Sequence, residues 1–525
     1  MQKLFVAFLL AFLNLNVAAQ NKIDVLHYKF SIEVNDKNDS VLGVAEIKVR
    51  SLHTSEQFDL DLIAAGQGVK GMKVSSVAGS NVLRFMSTSE KLTVLLSDSF
   101  LKDDSATFTV MYAGIPDDGL IISKNKFGKR TFFSDNWPNR ARYWIPCNDD
   151  PSDKASVEFL ITAPAHYKVV ANGILQEEKE LSQNKKLTHW KEDVPLPTKV
   201  MAIGVADFAV DNVDTVKGIP VSSWVYKENR TDGFKDYSIA PSILSFMMDY
   251  IGPYPYKKLA NVQSTTIFGG MENASAIFYD ERTVDGRQDD ESLIAHEIAH
   301  QWFGDMATEK SFAHLWLSEG FATYLAHRYL ESKYGADHLN AEMKSDRDKI
   351  IAFARNSRQP VVDSVSDFME LLNPNSYEKG GWILHMLRRQ LGDAVFQQII
   401  RKYYETYAGK NAETKDLQKI VEEVSGKDFS VFFQQWLYVP GVPELDIQWK
   451  RKEKEVEFTV TQKQQILFSF PLEVATSMDK RMSGIKTVHI SKREETFTIP
   501  SVLRPDTFIA DPAISLLADI RVKQE

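Results

Sequence analysis

The hydrophobic period of this chain changes twice, and those two changes set its architecture. From residue 20 to about 212, apolar and polar residues alternate. His27-Tyr-Lys-Phe-Ser-Ile-Glu-Val34, Val44-Ala-Glu-Ile-Lys-Val49, Thr107-Phe-Thr-Val-Met-Tyr112 and Val157-Glu-Phe-Leu-Ile161 are the clearest runs. A period of two belongs to half-buried strands. Between about 213 and 440 the apolar spacing becomes helical, and after Pro440-Gly-Val-Pro443 it returns to two. At 525 residues the chain exceeds what one core can serve. The expected fold is multidomain α+β: an antiparallel β domain over 20–212, an α-rich domain over 213–440, and a β-sandwich over 441–525.

Turn residues and caps place the elements. Tyr237 to Ile251 reads as a helix stopped by Gly252-Pro253, and Val262 to Phe268 as a strand running into Gly269-Gly270-Met271-Glu272-Asn273. A helix is expected over 291–303, with Asp289 or Asp290 as its N-cap and Gly304 as its end. Leu315 to Tyr334 forms the next helix, followed by helices near 337–356, 378–391, 394–408 and 414–436. The single cysteine, Cys147, excludes an internal disulfide and reads as a small buried apolar side chain.

Met1-Gln2-Lys3, the apolar run 4–13 and the small residues Val17-Ala18-Ala19 together read as a signal peptide over 1–19. The protein is then exported, to the periplasm or beyond. The apolar run is too short to span a bilayer and no later segment is long and apolar enough, so no stable membrane insertion is expected. A net charge of −9 argues against a nucleic-acid partner. No marker of an oligomeric state stands out.

His296-Glu297-Ile298-Ala299-His300 carries the chemistry. Histidines four apart on a helix share one face and can reach one metal ion, with Glu297 placed beside a water on that metal as general base. Leu293, Ile294, Ile298 and Trp302 surround the pair with apolar surface, and ionisable groups set there call for a ligand or partner. A zinc site needs a third protein ligand. Phe303 and Met306 stand where an H-x-x-G-x-x-H continuation would need glycine and histidine. His314 is available in a connecting loop. Glu319 is the better choice, opening the next helix among Leu315, Trp316, Leu317, Phe321 and Ala322.

Four motifs in this order resemble the zinc aminopeptidases of the aminopeptidase N type, the family that also holds leukotriene hydrolase. They are Gly269-Gly-Met-Glu-Asn273, His296-Glu-Ile-Ala-His300, Leu317-Ser-Glu-Gly-Phe-Ala322 and Tyr377-Glu-Lys-Gly380. The resemblance implies an N-terminal β-saddle, a thermolysin-like catalytic domain and a C-terminal β-sandwich. It implies one zinc ion on His296, His300 and Glu319, with Glu297 as base and Tyr377 as donor to the oxyanion. It implies that Glu272 binds the free α-amino group of a peptide, with Gly269, Gly270, Met271 and Asn273 completing that wall. Glycines at 269 and 270 are expected to let the substrate backbone approach closely.

Three departures from the family pattern stand out. The sequence to Glu525 does not include the large helical domain many members carry, so the expected cleft is open or covered by a dimer partner instead. A second amine-gripping residue of the N-terminal domain falls near Asp135, which is expected to substitute for it, and Trp137 is expected to line the first specificity pocket. Asp305 and Ser318 replace the asparagines usual beside the zinc ligands. The expected function is removal of N-terminal residues from peptides. A thermolysin-like endopeptidase is the enzymatic alternative, disfavoured by Glu272. Epoxide hydrolysis finds no polar machinery among Phe368, Met369, Leu371 and Leu372. A catalytically dead peptide-binding protein would have no need of Glu297 or Tyr377.

Overall fold

Alternate burial along the first strands builds the N-terminal half. In the computed structural model, residues 22–525 are described apart from 67–69, 366, 454, 480, 483 and 502–504; the signal peptide expected at 1–19 lies outside the described residues. A seven-stranded sheet runs in the order Ile174–Leu181, Lys185–Leu196, Ala155–Pro164, Ile23–Glu33, Val41–Ser51, Ser105–Ile115, Gly71–Gly79. Phe30 lies opposite Ala45 on one side and Phe159 on the other, so the inward residues of three strands meet in one buried layer. The pair Ile23–Glu33 and Ala155–Pro164 is parallel, which corrects the all-antiparallel expectation. A parallel pair needs a long crossover, and the intervening chain supplies it. Part of that crossover is a three-stranded sheet whose Phe58 packs on Phe108 at 4.8 Å. Cys147 is fully buried, as expected of a small apolar side chain.

The boundary read at 212 falls inside the strand Phe208–Val216. That strand belongs with Ile219–Tyr226, Leu259–Ser264, Ala276–Asp280 and Gly270–Met271 in a five-stranded mixed sheet at the front of the helical region. The strand expected over 262–268 is therefore centred earlier. Gly270–Met271 is the short outer strand of this sheet, paired only to Ala276–Asp280.

After a short helical segment over Arg230–Asp236, the longer helices are α1 (Ala240–Tyr250), α2 (Glu291–His300), α3 (Trp316–Tyr334), α4 (Ala336–Asn356), α5 (Gly380–Leu391), α6 (Asp393–Tyr407), α7 (Thr414–Ser425) and α8 (Ser430–Tyr438). The helix expected over 414–436 is two helices. Gly426 takes the left-handed conformation, φ +67°, that ends α7. Asp290 stands at the N-cap of α2 but makes no capping bond, because its backbone is not extended as a cap requires. α3 and α5 cross at Gly320 and Gly380, where a Cβ on Gly320 would lie 2.7 Å from the Cα of Gly380. The crossing delivers the π-helical turn Asn375–Lys379, and with it Tyr377, to the first turn of α3.

After α8, four strands (Glu444–Arg451, Glu455–Gln462, Glu494–Pro500, Asp519–Gln524) form one sheet. Phe470–Met478 pairs with Arg481–Met482, Lys486–Ile490 and Thr507–Ala510 in another. Trp449 and Phe458 of the first sheet meet Phe508 of the second at 6.0 and 4.9 Å. Among the described residues no helix is long and apolar enough to cross a membrane.

Candidate active site and metal centre

α2 and the first turn of α3 pack against each other and bring three donors together. Nε2 of His296 and Nε2 of His300 lie 2.9 Å apart, and each is 3.2 Å from Oε2 of Glu319. The donor atoms all fall within 4.8 Å of one another. The far side of each ring is tied. The Phe303 carbonyl, which can only accept, lies 3.0 Å from Nδ1 of His300; it places the proton there and turns the Nε2 lone pair toward the cluster. Ser318 Oγ is 3.2 Å from the same Nδ1, and Thr323 Oγ1 is 3.5 Å from Nδ1 of His296. Two imidazoles and one carboxylate in this arrangement are the protein ligands of a catalytic zinc centre. His314 is turned elsewhere, with Nδ1 2.9 Å from Thr414 Oγ1.

Electrostatics favour a cation at the point of convergence. Burial pulls the His300 imidazole down, but the charges of Glu319, Glu272 and Glu297 outweigh it and push it up to about 10. Burial lifts the Glu297 carboxyl well above its ordinary range, and the Glu272 and Glu319 charges add to that lift. Glu272 is raised mainly by burial, partly offset by His300 and Lys199. Burial would raise Glu319 too, yet the two histidines hold it below the usual carboxylate range. A divalent ion would relieve this crowding of carboxylates.

A cavity of about 400 Å³ opens onto the triad, and Trp137, Gly269, Gly270, Met271, Glu272, His296, Glu297, His300, Glu319 and Tyr377 all line it. Glu272 is 5% exposed, and its Oε1 has no hydrogen-bond partner among the described residues. Tyr377 stacks on His296 with ring centroids 6.0 Å apart. Burial, then the Glu319, Glu272 and Glu297 charges, raise its phenol well above its ordinary value, so it stays protonated and able to donate. Trp137 meets Phe268 edge-on at 5.9 Å, making an apolar pocket wall.

Three expectations need correction. Asp135 does not line the cavity and is fully buried. Its Oδ1 accepts from Arg140 at 2.5 Å and its Oδ2 from Thr266 at 2.9 Å and the Ile267 amide at 3.1 Å, so neither oxygen is left for a substrate amine. Asn273 is also buried off the cavity; its carbonyl accepts the Ala276 amide at 3.0 Å and turns the chain into the next strand. Gly270 makes room for the base rather than for substrate alone: a Cβ there would lie 2.3 Å from Oε1 of Glu297.

Gln301 belongs to none of the four motifs, yet it ties the site together. Its Nε2 donates to the Glu272 carbonyl at 2.7 Å and to Asp305 at 3.0 Å, and its Oε1 accepts the Ser275 amide at 2.8 Å. It thus fastens the Glu272 loop to the helix of the metal ligands. A polar side chain directly after His300 in an apolar run was the available signal. Thr323 and His327, also outside those motifs, follow Glu319 at helical spacing and line the cavity.

Comparison with known proteins agrees with this geometry. The Peptidase family M1 domain matches residues 236–436, and the Peptidase M1 N-terminal domain matches residues 25–200. Aminopeptidase M1-C of Oryza sativa subsp. japonica is 29% identical over 332 residues, covering 60% of this chain and 38% of that protein. Glutamyl aminopeptidase of Sus scrofa is 28% identical over 338 residues, 60% of this chain and 35% of that protein. The chain thus spans well under half the length of these curated relatives. A variant of the M1 zinc metallopeptidase of Deinococcus radiodurans superposes with a TM-score of 0.68 at 24% identity, over 80% of this chain and 95% of that one. A two-domain M1 zinc metallopeptidase variant bound to L-tryptophan gives 0.69 at 25% identity, over 79% and 94%. The two domain matches fall in order on the β-rich half and on the helical region that carries the ligand triad, and the chain belongs to the M1 peptidase family.

Proposed function

We propose that this chain is a zinc-dependent aminopeptidase that removes the N-terminal residue of peptides with a free amino group. The observation that carries the reading is the single cavity shared by the His296–His300–Glu319 triad, Glu297 and Glu272. The names of its relatives, aminopeptidases and zinc metallopeptidases, support it. When bound, zinc supplies Lewis acidity, polarising a carbonyl and lowering the pKa of a water.

Glu297, raised by burial, is suited to accept a proton from the attacking water and return it to the leaving amine. Glu272 pairs with the substrate ammonium and so fixes one residue before the scissile bond. Its buried, partnerless oxygen supports this role. Tyr377 donates to the oxyanion as it forms. Trp137 and Phe268 exclude water from the first side chain. In an endopeptidase the acyl chain would continue past Glu272 and leave its charge unpaired, and a binding protein would have no use for a base beside the ligands.

The finer architecture belongs to the same proposal: a saddle-like β domain, a thermolysin-like catalytic domain and a C-terminal β-sandwich. So does export to the periplasm or beyond, on the strength of the apolar run 4–13 and the small residues after it. Aminoacyl-amide fluorogenic substrates test the reading. Hydrolysis is expected to vanish with a chelator and to return on adding zinc. Hydrolysis untouched by chelation, or none in the zinc-loaded protein, would overturn it.

A further inference from the structure

The cavity wall away from Glu272 is built from different chemistry. α3 carries Glu319, Thr323 and His327 at four-residue spacing, so they share a face and step away from the triad one turn at a time. Gln301, just past the C-terminal end of α2, holds the Glu272 carbonyl at 2.7 Å. Thr323 instead contacts His296, one turn back along α2. Glu272 and the track from Thr323 to His327 therefore lie on opposite sides of the ligands. Beyond that track, Glu342, Asp346 and Lys349 of α4 and Glu378 of the π-helical turn line the same cavity.

The charges there do not balance. Asp346, 3% exposed, accepts from Nε2 of His327 at 2.8 Å. That bond makes Nε2 the donor, and in the neutral imidazole Nδ1 of His327 is then a lone-pair acceptor. His327 is 5% exposed and lines the cavity, and its Nδ1 has no hydrogen-bond partner among the described residues. Lys349 lies between Asp346 at 3.1 Å and Glu378 at 3.2 Å. Among the described residues, the one ion-pair partner of Glu342 is His338, at 3.7 Å. Three carboxylates thus stand about one ammonium, which reaches two of them, and a buried ring nitrogen stands unused beside them. The missing complement is a group that brings positive charge and hydrogen-bond donors and needs no acceptor. A guanidinium, with five donors in a planar fork, or an ammonium answers that description.

We infer that this wall is the subsite for the residue after the scissile bond and that it selects a cationic side chain, so that the favoured substrates are peptides with Arg or Lys second. The inference rests on the aminopeptidase reading, which directs the amine to Glu272 and therefore the leaving peptide to this side. An uncharged side chain leaves the acceptor and the excess charge unpaired, and an acidic one adds repulsion.

The test is kcat/KM of the zinc-loaded full chain on free-amine peptides that share a first residue and carry Arg, Lys, citrulline, norleucine or Glu second. Arg and Lys are expected to exceed citrulline and norleucine by about two- to fivefold, the scale of partly exposed charge pairs, and Glu to be poorest. The preference should shrink in high salt. In Glu342→Gln, a partly exposed change that keeps the Asp346–His327 pair, the Arg-to-citrulline ratio should fall. Hydrolysis of every peptide at equal rates would overturn the inference and leave the aminopeptidase reading standing. Hydrolysis of none would overturn both.

Discussion

At the scale of single residues, the site is a set of carboxylates told apart by their surroundings. Glu319 is held ionised by two histidines, whereas burial lifts Glu297 in spite of the opposing His300 charge. Replacing Glu297 by Gln keeps the volume and removes the proton acceptor. Its kcat should drop about 10²–10⁴-fold with zinc content unchanged, measured by steady-state kinetics beside metal analysis. Full activity in that variant would remove Glu297 from the chemistry. These residues were legible in sequence because apolar neighbours force them inward: a histidine or glutamate set among Leu293, Ile298, Trp302 and Trp316 must have a partner there. Asp135 was misread for the complementary reason. Its partners Arg140, Thr266 and Ile267 come from a turn five residues on and from a strand end 131 residues away, and no local pattern reveals where both oxygens are spent.

Helices and strands position those residues through close backbone contact. The crossing of α3 and α5 depends on two glycines meeting, and it sets the distance from Glu319 to Tyr377. A methyl on Gly320 would strike the Gly380 backbone, whereas one on Gly381 would meet nothing nearer than 3.5 Å. Gly320→Ala should therefore cost about 1–3 kcal/mol of stability and lower kcat, while Gly381→Ala should be near neutral; thermal midpoints and turnover of the pair check this. The crossing was not legible, since both glycines lie in stretches that read as ordinary helix, 60 residues apart. Helix positions themselves were readable from period and caps. Gly426 was the exception, taken for helix interior although it ends α7. The parallel pairing of Ile23–Glu33 with Ala155–Pro164 also escaped, because alternation tells which face is buried and not which neighbour a strand takes.

Over the whole molecule, polar ties join the catalytic helices to the C-terminal region, some exposed, as Arg355 with Asp519 at 3.2 Å, and others largely buried. Arg347 reaches Asp511 at 2.9 Å, Lys379 donates to the Gly441 carbonyl at 2.8 Å, and Nε2–H of His385 on α5 donates to the Ile514 carbonyl at 2.8 Å. Burial pushes His385 down to about 3, the Ile514 contact only partly offsetting it. The unfolded chain takes up a proton there near the ordinary 6.5 and the native protein does not. This contribution to stability is full above pH 6.5 and is lost as pH falls toward 3, at up to about 1.4 kcal/mol per pH unit. His385→Gln should lose that component, so its thermal midpoint should fall less between pH 7 and pH 5 than that of the parent. An unchanged slope would remove His385 from the acid response.

Recognition of a free amine by Glu272 is the claim on which everything else turns. The most direct measurement is kcat/KM of the zinc-loaded protein on one peptide in two forms, free at its N-terminus and N-acetylated. Acetylation removes the ammonium and leaves the Glu272 carboxylate buried without a counter-charge, so it should lower kcat/KM by more than about a hundredfold. Equal hydrolysis of the two forms would contradict the assignment of Glu272 and, with it, the reading of this chain as an aminopeptidase.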